Sequence, residues 1–301
     1  MNLSSLFIVA AGTCWGLDGL LRSQISGLSP LVIVTLEHTI WFLILVILGW
    51  SHFSFPKLSQ KAWWCLIGVA LFSGLIGTYA FTWALANVNY TSFGVLFLLQ
   101  KLQPVFAIIA ALIFLWERPK KSFYFLAAWA LLASYFLSFG KSWLDMSFGT
   151  DAFRSAMASI IAAICWGSAT VFSRYLSHQG YKARTMTAYR LWMVAILGTI
   201  TLGVFTAFGV NLFTFPADLY QFSLIMVGIA LLSGVIGTTL YYRGIQHTPA
   251  SQATIFELSF PLTGFLLDIF HMHKTPDIFQ ILWGILLVSI MLVIAKNMQK
   301  S

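Results

Sequence analysis

The stretch Ser73-Gly74-Leu75-Ile76-Gly77-Thr78 returns, 160 positions later, as Ser233-Gly234-Val235-Ile236-Gly237-Thr238. Two further elements repeat in the same order around it. Cys14-Trp15-Gly16 returns 151 positions on as Cys165-Trp166-Gly167, and Pro104 finds its match in Pro261. The offset grows where the second half carries a longer joint between its second and third apolar runs. Three ordered matches in similar hydropathy mark a duplicated unit, residues 1–150 followed by 151–301.

The repeated unit is apolar almost throughout. Of 301 residues, 59% are apolar and 9% charged, against about 25% charged in a soluble domain. The mean hydropathy of +0.86 does not fit a water-facing surface, and the chain reads as an all-α membrane protein. A span takes about 20 residues to cross roughly 30 Å of hydrocarbon. Apolar helices are expected at 5–23, 30–50, 62–86, 91–116 and 122–140, then at 153–177, 184–209, 219–245, 250–271 and 277–296. Pro-bearing joints separate several of them, at Gly27-Leu28-Ser29-Pro30, Ser54-Phe55-Pro56-Lys57, Arg118-Pro119 and Thr275-Pro276, because Pro lacks a donor and restricts the residue before it. No Lys or Arg precedes the first run, so 5–23 is expected as a retained span rather than a cleaved signal.

Orientation follows from the basic residues. With the N-terminus inside, the cytoplasmic side receives Lys57, Lys61, Arg118, Lys120, Lys121, Arg174, Lys182, Arg184, Arg243, Lys296 and Lys300, and the other side only Arg22, Lys141, Arg154 and Lys274. Both termini are then cytoplasmic. Five spans per repeat make the second copy enter from the opposite face, the inverted arrangement found in secondary transporters. The net charge of +8 forms no stripe or arm, which points to anionic lipid and away from nucleic acid. Cys14, Cys65 and Cys165 lie inside apolar runs without metal-ligand spacing, so neither a disulfide framework nor a metal site is expected.

The 5+5 plan, the Trp-Gly pair in helices one and six and the Ser-Gly-x-Ile-Gly-Thr element in helices three and eight resemble the EamA family of the drug/metabolite transporter superfamily. The resemblance covers the whole chain. It implies a cavity lined mainly by helices one, three, four, six, eight and nine, with the fifth and tenth peripheral. It also implies transport of a small metabolite, the family's substrates ranging over amino acids, choline-like cations, nucleosides, cofactors and toxic compounds.

Charges inside spans are costly and usually face an interior cavity or a partner. They are Asp18, Glu37, His38, Lys101, Arg190 and Glu257, with Asp268 nearer a helix end. By the Pro alignment, Gln100 and Glu257 are mates in helices four and nine. Lys101 and Glu257 are read as offering a cation and an anion to the two ends of a substrate; a plain salt bridge between the halves is the competing reading. Asp18 shares a helical stripe with Trp15 and Arg22. Asp18 and Glu37 fall at comparable depth, where they would bind a cation or carry a proton; the competing reading pairs Asp18 with Arg22 and Glu37 with His38. His38 and Arg190 match across the repeat and read as structural or gating groups. Trp15, Trp166, Tyr79, Trp83, Tyr241 and Tyr242 are candidates for an aromatic wall suited to an ammonium or an apolar group. Trp50, Trp63, Trp64, Trp116 and Trp143 read as interfacial anchors. Gly12-xxx-Gly16 and Ala163-xxx-Gly167 are close-packing faces, and Pro104 and Pro261 bend their helices beside the site.

These residues describe a secondary transporter, an exporter or exchanger working by alternating access in the plasma (bacterial inner) membrane. The expected substrate is an amino acid or related amine-bearing metabolite; an organic-cation or toxic-compound efflux pump is the alternative. An enzyme is disfavoured, since the spans hold no paired nucleophile and base and no metal set. No cofactor is expected. The expected partners are a small-molecule substrate, the lipid bilayer and protons as a candidate coupling ion, with the protein a monomer or homodimer.

Overall fold

The computed structural model describes residues 3–25, 28–47, 58–86, 99–139, 150–212, 218–270, 273 and 275–298. Outside them lie the expected start of the fourth helix, the joints at Gly27 and Ser54–Lys57, and Trp50, Trp143, Lys141, Lys274 and Lys300; the side chain of Asp268 is not described either. The described residues form helices in the order α1 (Leu3–Arg22), α2 (Pro30–Leu45), α3 (60–86), α4 (Gln103–Phe114), α5 (Lys121–Phe139), α6 (Thr150–His178), α7 (Ala183–Ala207), α8 (Leu219–Ile245), α9 (250–270) and α10 (Ile278–Met298). Six apolar helices are long enough to cross a membrane by themselves, those of α1, α3, α6, α7, α8 and α10. Pro30–Leu45, Gln103–Phe114 and Lys121–Leu137 are shorter apolar helices.

The ends follow local chemistry. Pro30 starts α2, where a missing N–H costs nothing. Ser59 accepts from the Ala62 amide at the head of α3, and Asp218 accepts from Gln221 at the head of α8. Either cap satisfies an orphan donor. Gly180, at φ 84°, and Gly209, at φ 78°, follow the ends of α6 and α7, where the left-handed turn favours glycine.

Two departures from regular helix set the interior, and both occur twice. The middle of α3, Val69–Ile76, and the middle of α8, Ala230–Gly237, are π-helical, a form that recurs at functional sites. The Ser73 carbonyl inside the first accepts from Thr78 Oγ1 at 2.9 Å and from the Trp166 indole at 3.2 Å. The Ser233 carbonyl inside the second accepts from Thr238 Oγ1 at 3.3 Å and from the Trp15 indole at 3.2 Å. A Cβ on Gly77 would stand 2.8 Å from the Trp166 indole nitrogen, and one on Gly237 3.0 Å from that of Trp15. The Trp-Gly and Ser-Gly-x-Ile-Gly-Thr elements are therefore two sides of one joint, made twice and each time between the two halves.

The second departure is a break. Lys101 and Leu102 form a turn between the helical residues 99–100 and α4, and α9 divides into Ala250–Phe256 and Ser259–Phe270 around Glu257 and Leu258. The fourth and ninth helices, expected to bend at Pro104 and Pro261, are interrupted just before those residues. Pro104 cannot donate to the Gln100 carbonyl, nor Pro261 to that of Glu257, so one ladder bond is missing in each. The neighbouring bonds tighten to i→i+3 spacing, Leu102 to Leu99 and Phe260 to Glu257.

The two repeats interlock instead of building separate cores. α1 packs on α8 and α9, while α6 packs on α3 and α4; α2 lies along α7, and α5 along α10. Close approach rests on small residues. A Cβ on Gly16 would stand 3.0 Å from the Phe260 carbonyl oxygen, and one on Gly167 2.9 Å from that of Gln103. One consequence is testable at the α2–α8 contact, where a Cβ on Gly234 would fall inside the buried Trp41 ring. Gly234→Ala is expected to lower stability by about 1–3 kcal/mol through overpacking, read as a lower melting temperature in detergent. Gly264→Ala, whose Cβ meets nothing within 4 Å, is expected to melt no lower than the parent. Equal melting of the two variants would refute the close packing.

Candidate substrate site

The breaks in the two halves bring polar side chains together. Gln103, at the first position of α4, donates its amide to Glu257 Oε2 at 2.7 Å, and Gln100 donates to Gln103 Oε1 at 3.2 Å. This chain joins the first repeat to the second. Glu257 Oε1 is buried with no hydrogen-bond partner among the described residues. Gln103 was not singled out from the sequence, although it lies one turn after Gln100 and directly before Pro104.

Lys101 is turned elsewhere. It is 4% exposed, and its Nζ donates to the Ser134 carbonyl of α5 at 3.4 Å. Lys101 and Glu257 form no ion pair within 4 Å, so the direct salt bridge between the halves, weighed from the sequence, is absent. Lys101 and Gln100 are neighbours in sequence but serve different surroundings.

The aromatic candidates divide into three groups. Trp15 meets Tyr241 at a ring separation of 5.5 Å, and Trp166 meets Phe81 at 5.3 Å. These pairs are mates under the repeat, and Phe81 could have been found by shifting Tyr241 back 160 positions. The Tyr241 hydroxyl donates to Thr170 Oγ1 at 3.0 Å, and that hydroxyl donates to the Trp166 carbonyl at 3.0 Å. A band of rings thus runs through α1, α8, α6 and α3. Tyr242 is 1% exposed and packed into the core beside Tyr241. Tyr79 is 39% exposed and Trp83 partly buried; neither takes part in the Gln100–Gln103–Glu257 chain.

Toward the end of α1, Arg22 carries two acids. Its Nε contacts Asp18 Oδ2 and its Nη2 contacts Glu37 Oε2, each at 2.7 Å. Asp18 and Glu37, expected at comparable depth, both reach the Arg22 guanidinium and are bridged by it. Glu37 pairs with Arg22 and not with His38, whose Nδ1 lies 2.9 Å from the Val34 carbonyl and whose ring packs on Trp41 at 4.3 Å. Arg190 is 9% exposed, with no partner for its Nε among the described residues. It lies within electrostatic range of Glu37 and of Glu257.

A further carboxylate escaped the sequence reading. Glu117, in the joint after α4, accepts from the amides of Ala250 and Ser251 at 2.9 and 3.1 Å and from the Ser251 hydroxyl at 2.8 Å. It caps the head of α9, a first-turn use of an acid. Arg174 on α6 donates to the Ile245 and Gln246 carbonyls at the tail of α8. These contacts tie elements at the end of the molecule opposite Arg22. Among the described residues no group of three His, Cys, Asp or Glu is placed to hold a metal ion. The assembled chemistry is hydrogen bonding beside aromatic faces.

The pattern of the EamA-like transporter family matches residues 2–139 and 154–295. The chain is 30% identical over 295 residues to the riboflavin transporter ImpX of Fusobacterium nucleatum subsp. nucleatum, covering 97% of each protein. A solved crystal structure aligns with a TM-score of 0.78, covering 99% of this chain and 98% of its own; at 16% identity that likeness concerns the fold.

Proposed function

The chain belongs to the EamA-like transporter family, and from that premise we propose that it carries riboflavin or a closely related planar heterocycle. It is a multi-pass integral membrane protein of the plasma membrane and a membrane transporter. The substrate reading rests on one observation, the Gln100–Gln103–Glu257 chain with an unpartnered carboxylate oxygen. A flavin is uncharged at neutral pH and presents a planar ring with an acceptor–donor–acceptor edge. Amide donors and a carboxylate acceptor match such an edge, and the Trp15–Tyr241 and Trp166–Phe81 pairs supply faces for the ring. The name of the 30%-identical relative supports the same choice. An amino acid suits the arrangement less well, because the Lys101 ammonium is directed to a carbonyl of α5.

In this proposal Glu257 Oε1 accepts from the ring N–H once the site opens, and Arg190 donates to a ring carbonyl. A site built for such hydrogen bonds rejects molecules that leave its buried groups unpaired. Alternating access would turn on the interrupted α4 and α9 and on the π-helical joints of α3 and α8. The test is thermal melting of the purified full-length protein. Bound ligand stabilises by RT ln(1 + [L]/Kd), so riboflavin is expected to raise the melting temperature in a concentration-dependent way, while aromatic amino acids and choline leave it unchanged. A response to choline alone would favour the organic-cation alternative, supported by the same unpartnered Glu257 oxygen. A response to amino acids alone would restore the zwitterion reading.

We further propose ten spans, with the repeats inverted and both termini cytoplasmic. In a cysteine-free background, single cysteines at Lys120 and Lys182 are expected to be labelled only from the cytoplasm, and one at Val210 only from outside. Labelling of Lys120 and Lys182 from opposite faces would overturn the topology.

A further inference from the structure

A groove of about 500 Å³ opens on the flank of the molecule, away from the polar chain. The head of α3, the tail of α4 and the last third of α6 form it, so both repeats contribute. Trp64, Phe114, Phe172 and Tyr175 wall it, with Gln60 and Lys61 at the α3 head. Trp64 is 66% exposed and Phe114 59%; on helices of this composition such exposure faces hydrocarbon. Lys61 places its Nζ over the Tyr175 ring, 4.7 Å from the centroid, where the ring face holds a cation.

Basic residues predominate around the groove. Arg118, Lys120, Lys121, Lys182 and Arg184 lie in the joints and helix heads at the same end. The acid there, Glu117, already accepts from Ala250 and Ser251 with both oxygens. An apolar trough ending at a lysine, within a basic rim at a helix boundary, combines the two surfaces that a phospholipid presents. Basic pockets between spans recognise anionic head groups in this way. We propose that this groove is a binding site for one anionic phospholipid, its phosphate on Lys61 and an acyl chain against Trp64, Phe114 and Phe172. A zwitterionic lipid would meet the same wall but bring no net charge to Lys61.

The experiment is native mass spectrometry of the full-length protein released from micelles holding equal phosphatidylglycerol and phosphatidylcholine. The expected result is one phosphatidylglycerol retained in preference to phosphatidylcholine. Lys61→Ala is expected to weaken that preference about fivefold, the effect of one lysine beside an anionic head group. Lys121→Ala, which removes a charge from the same end but outside the groove, is expected to leave it unchanged. Trp64→Ala, at a largely exposed position, is expected to weaken retention of both lipids. Equal retention of the two lipids by the parent protein would overturn the proposal. So would an equal loss in Lys61→Ala and Lys121→Ala, which would leave only a diffuse basic surface.

Discussion

Glu257→Ala is expected to weaken riboflavin binding roughly 30-fold or more, the loss typical of a buried, charge-assisted hydrogen bond. The variant is expected to fold. Gln103 remains to be rehydrated in a polar setting, and the absent carboxylate already had one oxygen unpartnered. Glu257→Gln keeps an acceptor but loses the charge, so an intermediate loss is expected. Lys101→Met is the contrasting variant. Because Lys101 bonds to the Ser134 carbonyl, its loss is expected to lower melting temperature while leaving riboflavin affinity within about twofold, well below the cost of a charged contact. Fluorescence quenching of the flavin on titration with protein measures all three. Equal losses in Lys101→Met and Glu257→Ala would mean that both charges meet the substrate, and the neutral-heterocycle reading would fall.

The second large effect concerns Arg22. Removing it leaves Asp18 and Glu37 buried together without their shared ion-pair partner. Breaking a buried ion pair in this way typically costs about 3–5 kcal/mol. Arg22→Met is therefore expected to express poorly and melt far below the parent. The triple variant Asp18→Asn, Arg22→Met, Glu37→Gln removes all three charges and is expected to recover melting temperature. Transport by the triple variant then separates two roles for the acids. If a proton gradient still drives uptake into vesicles, the cluster is structural and proton coupling through Asp18 and Glu37 is refuted. If substrate exchange survives but the gradient no longer drives it, the acids carry the coupling proton. A triple variant as unstable as Arg22→Met alone would contradict the charge argument itself.

The membrane class and the duplicated unit were legible in the order of residues because both are local or periodic properties. Spans are written in continuous apolar runs, and a duplication is written in matched offsets. The repeat also located the two proline sites and the Trp-Gly and Ser-Gly-x-Ile-Gly-Thr elements. It did not reveal that each Trp indole closes the π-helical joint of the opposite half, since that bond crosses 218 residues in one case and 93 in the other. The partners of the buried charges were decided by tertiary structure alone. One residue step on a helix turns a side chain by about 100°, and a broken ladder resets that phase. Thus Gln100 joins Gln103 and the chain to Glu257, while Lys101, its neighbour, reaches α5. Arg22 takes Glu37 from the adjacent helix, and His38 turns to its own backbone. Depth in the membrane follows from counting residues, but which way a side chain points depends on how each helix is rotated and broken when it packs.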